Sequence, residues 1–233
     1  MKKRQITIKD IAKALHISPS TVSRSLADHP DISQETKNIV NAYAREHKYK
    51  PNALALSLRT NNTKTIGVIL PQIVHYFFSS VLSGIEDEAE KGGYRVIICQ
   101  SNENYEKEVK GAQALLEARV CGVLASVAKT TTIYNHFQEL IDSDIPMVFF
   151  DRICTGILTD RVVVDDYAGV CSAVEYLIRS GCRRIAFFGS PSHLAISNNR
   201  RMGYEDALRK NGLPVDKELS LIHISEPTRL RCI

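Results

Sequence analysis

The sequence predicts an all-α head of three short helices, followed by an α/β domain with parallel sheets. Within residues 1–50, apolar residues recur at helical spacing between residues that typically cap helices. From residue 65 onwards, short runs rich in Val and Ile alternate with longer amphipathic segments, which is typical of parallel strands covered by helices. The polar stretch TNNTKT at 60–65 separates these two patterns.

Charge is distributed unevenly along the chain. Residues 1–60 contain 11 Lys or Arg and 5 Asp or Glu, out of totals of 30 and 26 over all 233 residues. The head therefore carries a net charge of +6, whereas the remainder carries −2. A basic head favours a polyanion as its partner. A solvated, lysine-rich surface without such a partner has the same charge, and this observation alone leaves it open.

The composition excludes several classes of protein. The six cysteines form no CxxC pair, and Cys99 and Cys121 lie within apolar runs. This favours reduced, mostly buried thiols over a disulfide framework or a zinc site. No apolar stretch approaches the roughly 20 residues that cross a bilayer, and no apolar segment follows the basic N-terminus as in a signal peptide. We therefore expect a soluble, cytoplasmic protein without membrane contact.

Motifs typical of enzymes are missing from the sequence. It has no P-loop, no GxSxG, no HExxH and no paired carboxylates at a recognisable spacing. We therefore predict no catalytic residue, no metal ligand and no cofactor. An enzyme stays open only because α/β domains host many enzymes.

Capping residues mark the helices of the head. Thr7 is a good N-cap for a first helix. Ser18 caps a second helix in which Pro19 takes the first position, where the missing N–H costs nothing. A third helix is predicted over about 33–47. The residues predicted to face the core of the head are Ile8, Ile11, Ala12, Leu15, Val22, Leu26, Ile39, Val40 and Tyr43.

The outer face of the second helix carries polar and charged residues that packing of the core would not require. Two short helices joined by a tight turn, with a third packed on them, form the helix-turn-helix arrangement, whose second helix enters the DNA major groove. Pro19, Ser20 and Arg24 point outward, and Arg24 could donate two hydrogen bonds to guanine. Thr21 and Ser23 are better placed for phosphates, as is the helix N-terminus itself. The alternative for a lone arginine on a short helix is a solvated charge.

Residues 51–64 are predicted to be a hinge and linker. The stretch NALALSLR allows two helical turns capped by Asn52, but so short a helix is unstable alone in water. Its three leucines therefore need a partner. One interpretation is a plain interdomain tether. The other is a helix that forms only on DNA and inserts a leucine into the minor groove.

The order of these motifs resembles that of the lac-repressor-type (LacI/GalR) family of bacterial transcription regulators. The resemblance is carried by TIKDIAKALHISPSTVSRSLAD and by VNAYAREHKYKPNALALSLRTNNTKTIGVILP, and it extends from about residue 5 to about 219. It implies that Pro19, Ser20 and Arg24 read bases, that Leu58 enters the minor groove and that Ala55 is its small neighbour. The full predicted DNA-binding set is Thr7, Ser18, Pro19, Ser20, Thr21, Ser23, Arg24, Asn52, Ala55 and Leu58. Because Pro19 and Ser20 are poor hydrogen-bonding readers, much of the specificity is expected from Arg24, the hinge and DNA shape.

Residues 65–219 are predicted to form the α/β domain. The first lobe, about 65–155, has strands at 65–71, 94–100, 121–126 and 146–151 and helices at about 77–91, 103–119 and 131–142. The chain crosses to a second, partial lobe near 152–161. That lobe, about 161–219, has strands at 161–165 and 183–190 and helices up to about 180 and near 197–211. The resemblance implies that the domain is similar to periplasmic sugar-binding proteins, with a ligand cleft between two lobes.

The candidate effector residues follow the ends of strands, where ligands bind in open α/β sheets. The resemblance matches Phe77 and Phe78 to an aromatic pair that stacks on ligand, and Arg200 to an effector-binding arginine suited to oxygen-rich ligands. Asp151 ends the fourth strand, and Asp165 lies in the DxxxG turn of the family. The alternatives are a core role for the two phenylalanines and simple helix capping by Asp165. Because Arg201 stands beside Arg200, the role of Arg200 depends on the register of its helix. His75 and Tyr76 stand where the family often has Asn-Pro.

The stretch 220–233, SLIHISEPTRLRCI, does not resemble the family. Members of the family continue with further strands and helices of the second lobe. We therefore expect a truncated or frameshifted reading, or foreign sequence joined at the end. An incomplete second lobe would leave a sheet edge and apolar faces uncovered.

Taken with the resemblance, these observations predict a sequence-specific transcription regulator, most simply a repressor. Its expected partners are a palindromic double-stranded DNA operator bound by a homodimer, and a sugar-like small-molecule effector bound between the lobes. Effector binding would shift the lobes and alter operator affinity. Two alternatives remain: a small-molecule-binding protein without a DNA role, and a truncated fragment that binds DNA without responding to effector.

Overall fold

The structure is a computed structural model that describes residues 6–49 and 63–222. The chain divides into two compact units, residues 1–60 and 61–233. The predicted all-α head and the α/β domain with parallel sheets are both confirmed. The predicted hinge positions Asn52, Ala55 and Leu58 lie outside the described residues.

Within residues 6–49, three helices form the head: α1 (Ile8–Ala14), α2 (Pro19–Leu26) and α3 (Gln34–Glu46). Their core is small and apolar, as the helical spacing predicted. Its buried members are Ile11, Ala12, Val22, Val40 and Ala44, and the partly buried residues packed around them include Ile8, Leu15, Leu26 and Tyr43.

Ile39 corrects the predicted orientation of α3. It was expected to face inward, but it is 52% exposed. The helix instead packs through Val40 and Ala44, which are four residues apart and therefore share one face. The buried side of α3 also includes Lys37, whose Nζ lies 2.8 Å from Asp28 Oδ1.

Among residues 63–222, the first lobe contains one parallel sheet of five strands. Their order across the sheet is β2-β1-β3-β4-β5, so the first strand in the chain lies inside the sheet. The strands are β1 (Thr65–Leu70), β2 (Arg95–Gln100), β3 (Gly122–Ala125), β4 (Met147–Phe150) and β5 (Asp160–Val162). The connecting helices are α4 (Tyr76–Lys91), α5 (Tyr105–Glu117) and α6 (Asn135–Asp142).

The strand predicted at 161–165 in the second lobe lies in the first sheet instead. Strand β5 runs parallel to β4, with Phe149 opposite Arg161, and the Asp151 N–H donates to the Val162 carbonyl. Residues 152–159 carry the chain back to the amino ends of the strands, which makes this parallel pairing possible. The pairing makes β5 one edge of the first sheet.

The second lobe, within residues 166–222, packs two long helices beside a two-stranded parallel sheet. It comprises α7 (Asp166–Arg179), β6 (Phe187–Gly189), α8 (Ala195–Lys210), a 3-10 turn (Lys217–Leu219) and β7 (Ser220–Ile222). The first three residues of the stretch expected to be atypical thus pair with β6. The buried core of this lobe consists of Val174, Ile178, Ile185, Tyr204, Ala207 and Leu208. Among the helices of the described residues, none is both long and apolar enough to span a membrane.

Candidate functional site

Capping hydrogen bonds fix the starts of the first two helices of the head. Thr7 caps α1: its backbone N–H donates to Asp10 Oδ2 at 2.9 Å, and its Oγ1 accepts from the Asp10 N–H at 3.3 Å. The Ser18 hydroxyl accepts from the Thr21 N–H at 3.0 Å, and Pro19 is the first residue of α2. The hydroxyls of Ser18 and Thr21 are also 2.9 Å apart. These contacts set the direction of α2.

The outer face of α2 is polar and basic. Ser20 and Arg24 are exposed and four residues apart, so they lie one above the other on the helix. Val22, which lies between them in the sequence, is fully buried on the opposite side of the helix. Ser25 is also buried, and its hydroxyl donates to the Thr21 carbonyl at 2.8 Å. Ser23 is half-buried at the side of this face. Arg24 therefore projects from a helix whose opposite side is anchored in the core.

The aromatic pair predicted to bind effector has one exposed and one buried member. Phe77 is 49% exposed, whereas Phe78 is 4% exposed and belongs to the core of the first lobe. The Phe78 ring meets Phe150 edge-on at 6.5 Å, and the Arg152 guanidinium lies 5.8 Å from its centre. Phe77 therefore presents an accessible ring, while Phe78 packs in the core against Phe150 at the end of β4.

Asp151 directly follows β4 and has a left-handed backbone with φ of 57°. Burial raises the pKa of its carboxyl group, and the neighbouring Arg152 and Arg200 partly offset this shift. The carboxylate of Asp166 raises the same pKa, and the Ser126 hydroxyl lowers it. The structure thus brings Asp151 and Arg200, which the sequence placed 49 residues apart, into one electrostatic cluster.

Arg200 pairs with Asp166 rather than with Asp165. Its Nε donates to Asp166 Oδ1 at 2.7 Å, and the arginine remains 46% exposed. Asp165 caps α7, because its side chain accepts from the Ala168 N–H at 2.9 Å. Asp165 therefore caps α7, and the adjacent Asp166 orients Arg200.

Several polar residues of this region were missed from the sequence. Ser101 and Ser126 directly follow β2 and β3, and Ser197 lies in α8; all three hydroxyls are buried without a hydrogen bond of normal geometry. The rule that ligands bind at carboxyl ends of strands would have indicated the first two. Glu103 and Arg152 were missed because their ion pair joins two strand ends that are distant in sequence.

The chemistry of this cluster suits an oxygen-rich ligand. Asp151 offers an acceptor, and Arg200 offers donors in a planar fork. Within residues 6–49 and 63–222, no group of three or more His, Cys, Asp or Glu side chains is arranged to hold a metal ion.

Two family models match the chain. Residues 7–52 match "Bacterial regulatory proteins, lacI family", and residues 63–226 match "Periplasmic binding proteins and sugar binding domain of LacI family". The first match covers the three helices of the head. The second covers all described strands and helices of the other unit.

Curated relatives include a named repressor and a named control protein. The ribose operon repressor of Bacillus subtilis is 34% identical over 204 residues, which cover 88% of this chain and 60% of that protein. Catabolite control protein A of Priestia megaterium is 32% identical over 211 residues, covering 90% and 63%. The chain therefore spans roughly 60% of the length of these relatives.

Solved structures show the same fold. A putative ribose operon repressor from Burkholderia thailandensis superimposes with a TM-score of 0.64 at 28% identity, covering 68% of this chain and 60% of that one. The lac repressor dimer, bound to operator and the anti-inducer ONPF, superimposes with a TM-score of 0.76 at 21% identity, covering 94% and 64%. The second comparison supports the fold alone.

Proposed function

Because the chain belongs to the LacI family of bacterial regulatory proteins, we propose that it is a DNA-binding transcription repressor controlled by a small-molecule effector. The observation that carries the proposal is the pairing, in one chain, of a helix-turn-helix head with an α/β domain of the sugar-binding type. A head that only binds DNA would not require a sugar-binding domain, and a domain that only binds sugar would not require such a head. A head that binds DNA next to a domain that binds a metabolite is the minimal arrangement of an effector-controlled regulator.

The DNA-reading role rests on the exposed face of α2. The Ser18 cap and Pro19 start the helix, and Val22 anchors its inner face in the head. Ser20 and Arg24 then lie where a recognition helix meets base edges. Thr7, Thr21 and Ser23 stand beside them for phosphate contacts. We propose that the positions Asn52, Ala55 and Leu58 act in the hinge, where Leu58 enters the minor groove.

The assembly that we propose is a homodimer on a palindromic operator. One head binds one half-site, so the two-fold symmetry of the protein matches that of the DNA. The lac repressor, which was solved as a dimer bound to operator, has the same fold as this chain.

The effector that we propose is a sugar or a related metabolite. Asp151 accepts from hydroxyl groups, Arg200 donates to ligand oxygens, and the exposed ring of Phe77 covers an apolar face. Phe78 supports this site through its contact with Phe150, and Asp165 contributes by fixing the start of α7. Binding between the lobes would favour one lobe arrangement and so change operator affinity.

The family is described as one of bacterial regulatory proteins, and the relative from Bacillus subtilis is named a ribose operon repressor. We therefore propose that the chain acts by binding, without catalysis, and that it acts in the cytoplasm, where the chromosome is accessible. The rival candidates are a sugar-binding protein without a DNA role, and a DNA-binding protein that does not respond to effector.

Footprinting of the purified chain on its own upstream DNA, with and without candidate sugars, tests this proposal. Protection that one sugar strengthens or weakens is the expected result. An absence of protection even at low salt, where phosphate contacts are strongest, would favour the sugar-binding protein. Protection that every sugar leaves unchanged would favour the unresponsive DNA-binding protein.

A further inference from the structure

His193 of the second lobe forms a hydrogen bond to the first lobe. The Nε2 atom of His193, in the loop before α8, lies 2.7 Å from the carbonyl oxygen of Lys129, in the loop after β3. A carbonyl oxygen can only accept, so the His193 Nε2 carries the proton and donates. The bond joins residues 64 positions apart in the chain.

The acceptor is held by the first lobe. The Lys129 N–H donates to Glu103 Oε2 at 2.8 Å, and the Thr130 hydroxyl donates to the Glu103 carbonyl at 3.0 Å. One residue earlier, the Ala128 N–H donates to the buried Glu108 carboxylate at 2.6 Å. The Lys129 carbonyl is therefore fixed before any contact with the second lobe.

The donor is held by the second lobe. The Asn198 side chain donates to the Ser192 carbonyl at 2.7 Å and so fastens the loop to the first turns of α8. Leu194, next to His193, is 3% exposed, and its N–H donates to the Pro191 carbonyl at 3.2 Å. Because both partners are ordered in advance, the bond costs little additional conformational entropy.

Both ends of the bond connect to the candidate effector site. On the first-lobe side, Glu103 also binds Arg152 Nη1 at 2.8 Å, and Arg152 adjoins Asp151. On the second-lobe side, His193 lies two residues before Ala195, the first residue of the helix that carries Arg200. A change in the position of α8 against the first lobe would therefore move Arg200 relative to Asp151.

We propose that the hydrogen bond from His193 to the Lys129 carbonyl is a latch between the lobes, which holds Arg200 beside Asp151 and thereby sets effector affinity. The latch exists without ligand, and only its effect on affinity rests on the proposed function. Since the acceptor belongs to the backbone, the latch depends on the side chain of His193 and not on that of Lys129.

Amide hydrogen exchange of the full chain without ligand tests the latch itself. We expect His193→Ala to raise the exchange of segment 127–131 several-fold. Lys129→Ala is the matched control, because it keeps the carbonyl, and it should leave the Val127, Ala128 and Thr131 amides unchanged. Unchanged exchange in the His193→Ala chain, with an unchanged melting temperature, would overturn the proposal.

Calorimetric titration with D-ribose, the probe suggested by the relatives, tests the effect on affinity. Loss of the latch should weaken binding by about 2- to 10-fold, the range expected for one net hydrogen bond. His193→Gln, which retains an N–H donor, should recover part of this loss, whereas Lys129→Ala should not differ from the unaltered chain. Unaltered affinity in His193→Ala would contradict the proposal. If the unaltered chain binds no ribose, that choice of ligand fails, and the exchange measurement alone decides on the latch.

Discussion

A Cβ atom placed on Gly203 would lie 2.5 Å from the carbonyl oxygen of Tyr167, so α7 and α8 meet there backbone against backbone. The Cys171 thiol also donates to the Gly203 carbonyl at 3.2 Å. Arg200 lies one turn before Gly203, and Asp166 directly precedes Tyr167. The close approach of the helices therefore brings the Arg200–Asp166 ion pair to 2.7 Å.

Substitution of Gly203 by alanine is expected to push the two helices apart. The added methyl group meets backbone atoms, which cannot rotate away, and overpacking of this kind costs about 1–3 kcal/mol of unfolding free energy. Urea denaturation followed by circular dichroism measures the loss. The same variant should weaken effector binding, because Arg200 would leave Asp166.

Gly169→Ala in α7 is the matched control for that change. A Cβ atom on Gly169 has no neighbour within 4 Å. Alanine should leave stability unchanged or raise it by up to about 1 kcal/mol, because it favours the helix over glycine. Equal destabilisation by both alanines would show that helix packing at Gly203 is not the cause.

Removal of the buried Glu108 carboxylate should destabilise the first lobe strongly. Glu108 is fully buried and accepts from the Ala128 N–H at 2.6 Å, the Thr131 hydroxyl at 2.7 Å and, at 3.1 Å, the His136 ring. Glu108→Ala leaves these buried groups without their acceptor, at a cost of about 3–5 kcal/mol. Unfolding in urea measures this cost.

Glu106→Ala on the same helix provides the comparison. Glu106 is exposed, so its loss should change the unfolding free energy by about 0.5 kcal/mol or less. Similar losses in the two variants would mean that the buried network contributes nothing specific.

Local signals explain why the head could be predicted from sequence. The Ser18 cap and Pro19 fix the start of α2 within a few residues, and the capping bonds are present as predicted. The alternation of Val- and Ile-rich runs with amphipathic segments likewise predicted the parallel sheets, because the runs that form β1, β3 and β4 are largely buried. Both signals act over short distances along the chain.

Contacts between distant segments explain what was missed. The edge position of β5 depends on the path of residues 152–159, which no local pattern specifies. Ile39 and Val40 are adjacent, and only packing against the other two helices decides which is buried. The pairing of Arg200 with Asp166, which was not among the predicted site residues, depends in the same way on how α7 meets α8.

Arg24→Ala is expected to reduce preference for operator over random DNA. A bidentate arginine–guanine contact supplies about 1–3 kcal/mol of discrimination, which the alanine variant would lose. The exposed side chain of Arg24 makes no contribution to the head's buried core, so folding should be unaffected. Competition gel shifts, with an operator selected from a random pool, measure the preference.

Two control variants separate base reading from charge in that experiment. Arg24→Lys keeps the charge but not the planar fork, so it should lose much of the preference. Lys9→Ala removes an exposed cation from α1 and should weaken binding to all DNA alike. A pattern in which Arg24→Ala also weakens operator and random DNA equally would contradict the base-reading role.

Asp28→Asn should destabilise the head at neutral pH, and this destabilisation should disappear at acid pH. The hydrogen bond and charge of Lys37 hold the pKa of Asp28 below its ordinary value of 3.8. Because the pKa is lower in the folded protein, the ionised Asp28 carboxylate adds to the free energy of unfolding above pH 3.8. This contribution disappears as the pH falls through the pKa of the folded protein. Unfolding of the head, measured from neutral pH down to that range, should therefore show the two proteins converging. A constant difference at every pH would exclude the ion pair as the cause.

Asp151→Asn should show the opposite dependence on pH. Burial raises the pKa of Asp151 above 3.8, so its stabilising contribution is complete below 3.8 and is lost as pH rises through the raised value. Asparagine stays neutral and tolerates the left-handed backbone at φ of 57°. The variant should therefore gain stability relative to the unaltered chain as pH rises from 4 to 7, as urea unfolding across this range would show. If the variant instead gained stability relative to the unaltered chain as the pH fell, the charges of Arg152 and Arg200 would outweigh burial. The pKa of Asp151 would then be lowered, as that of Asp28 is.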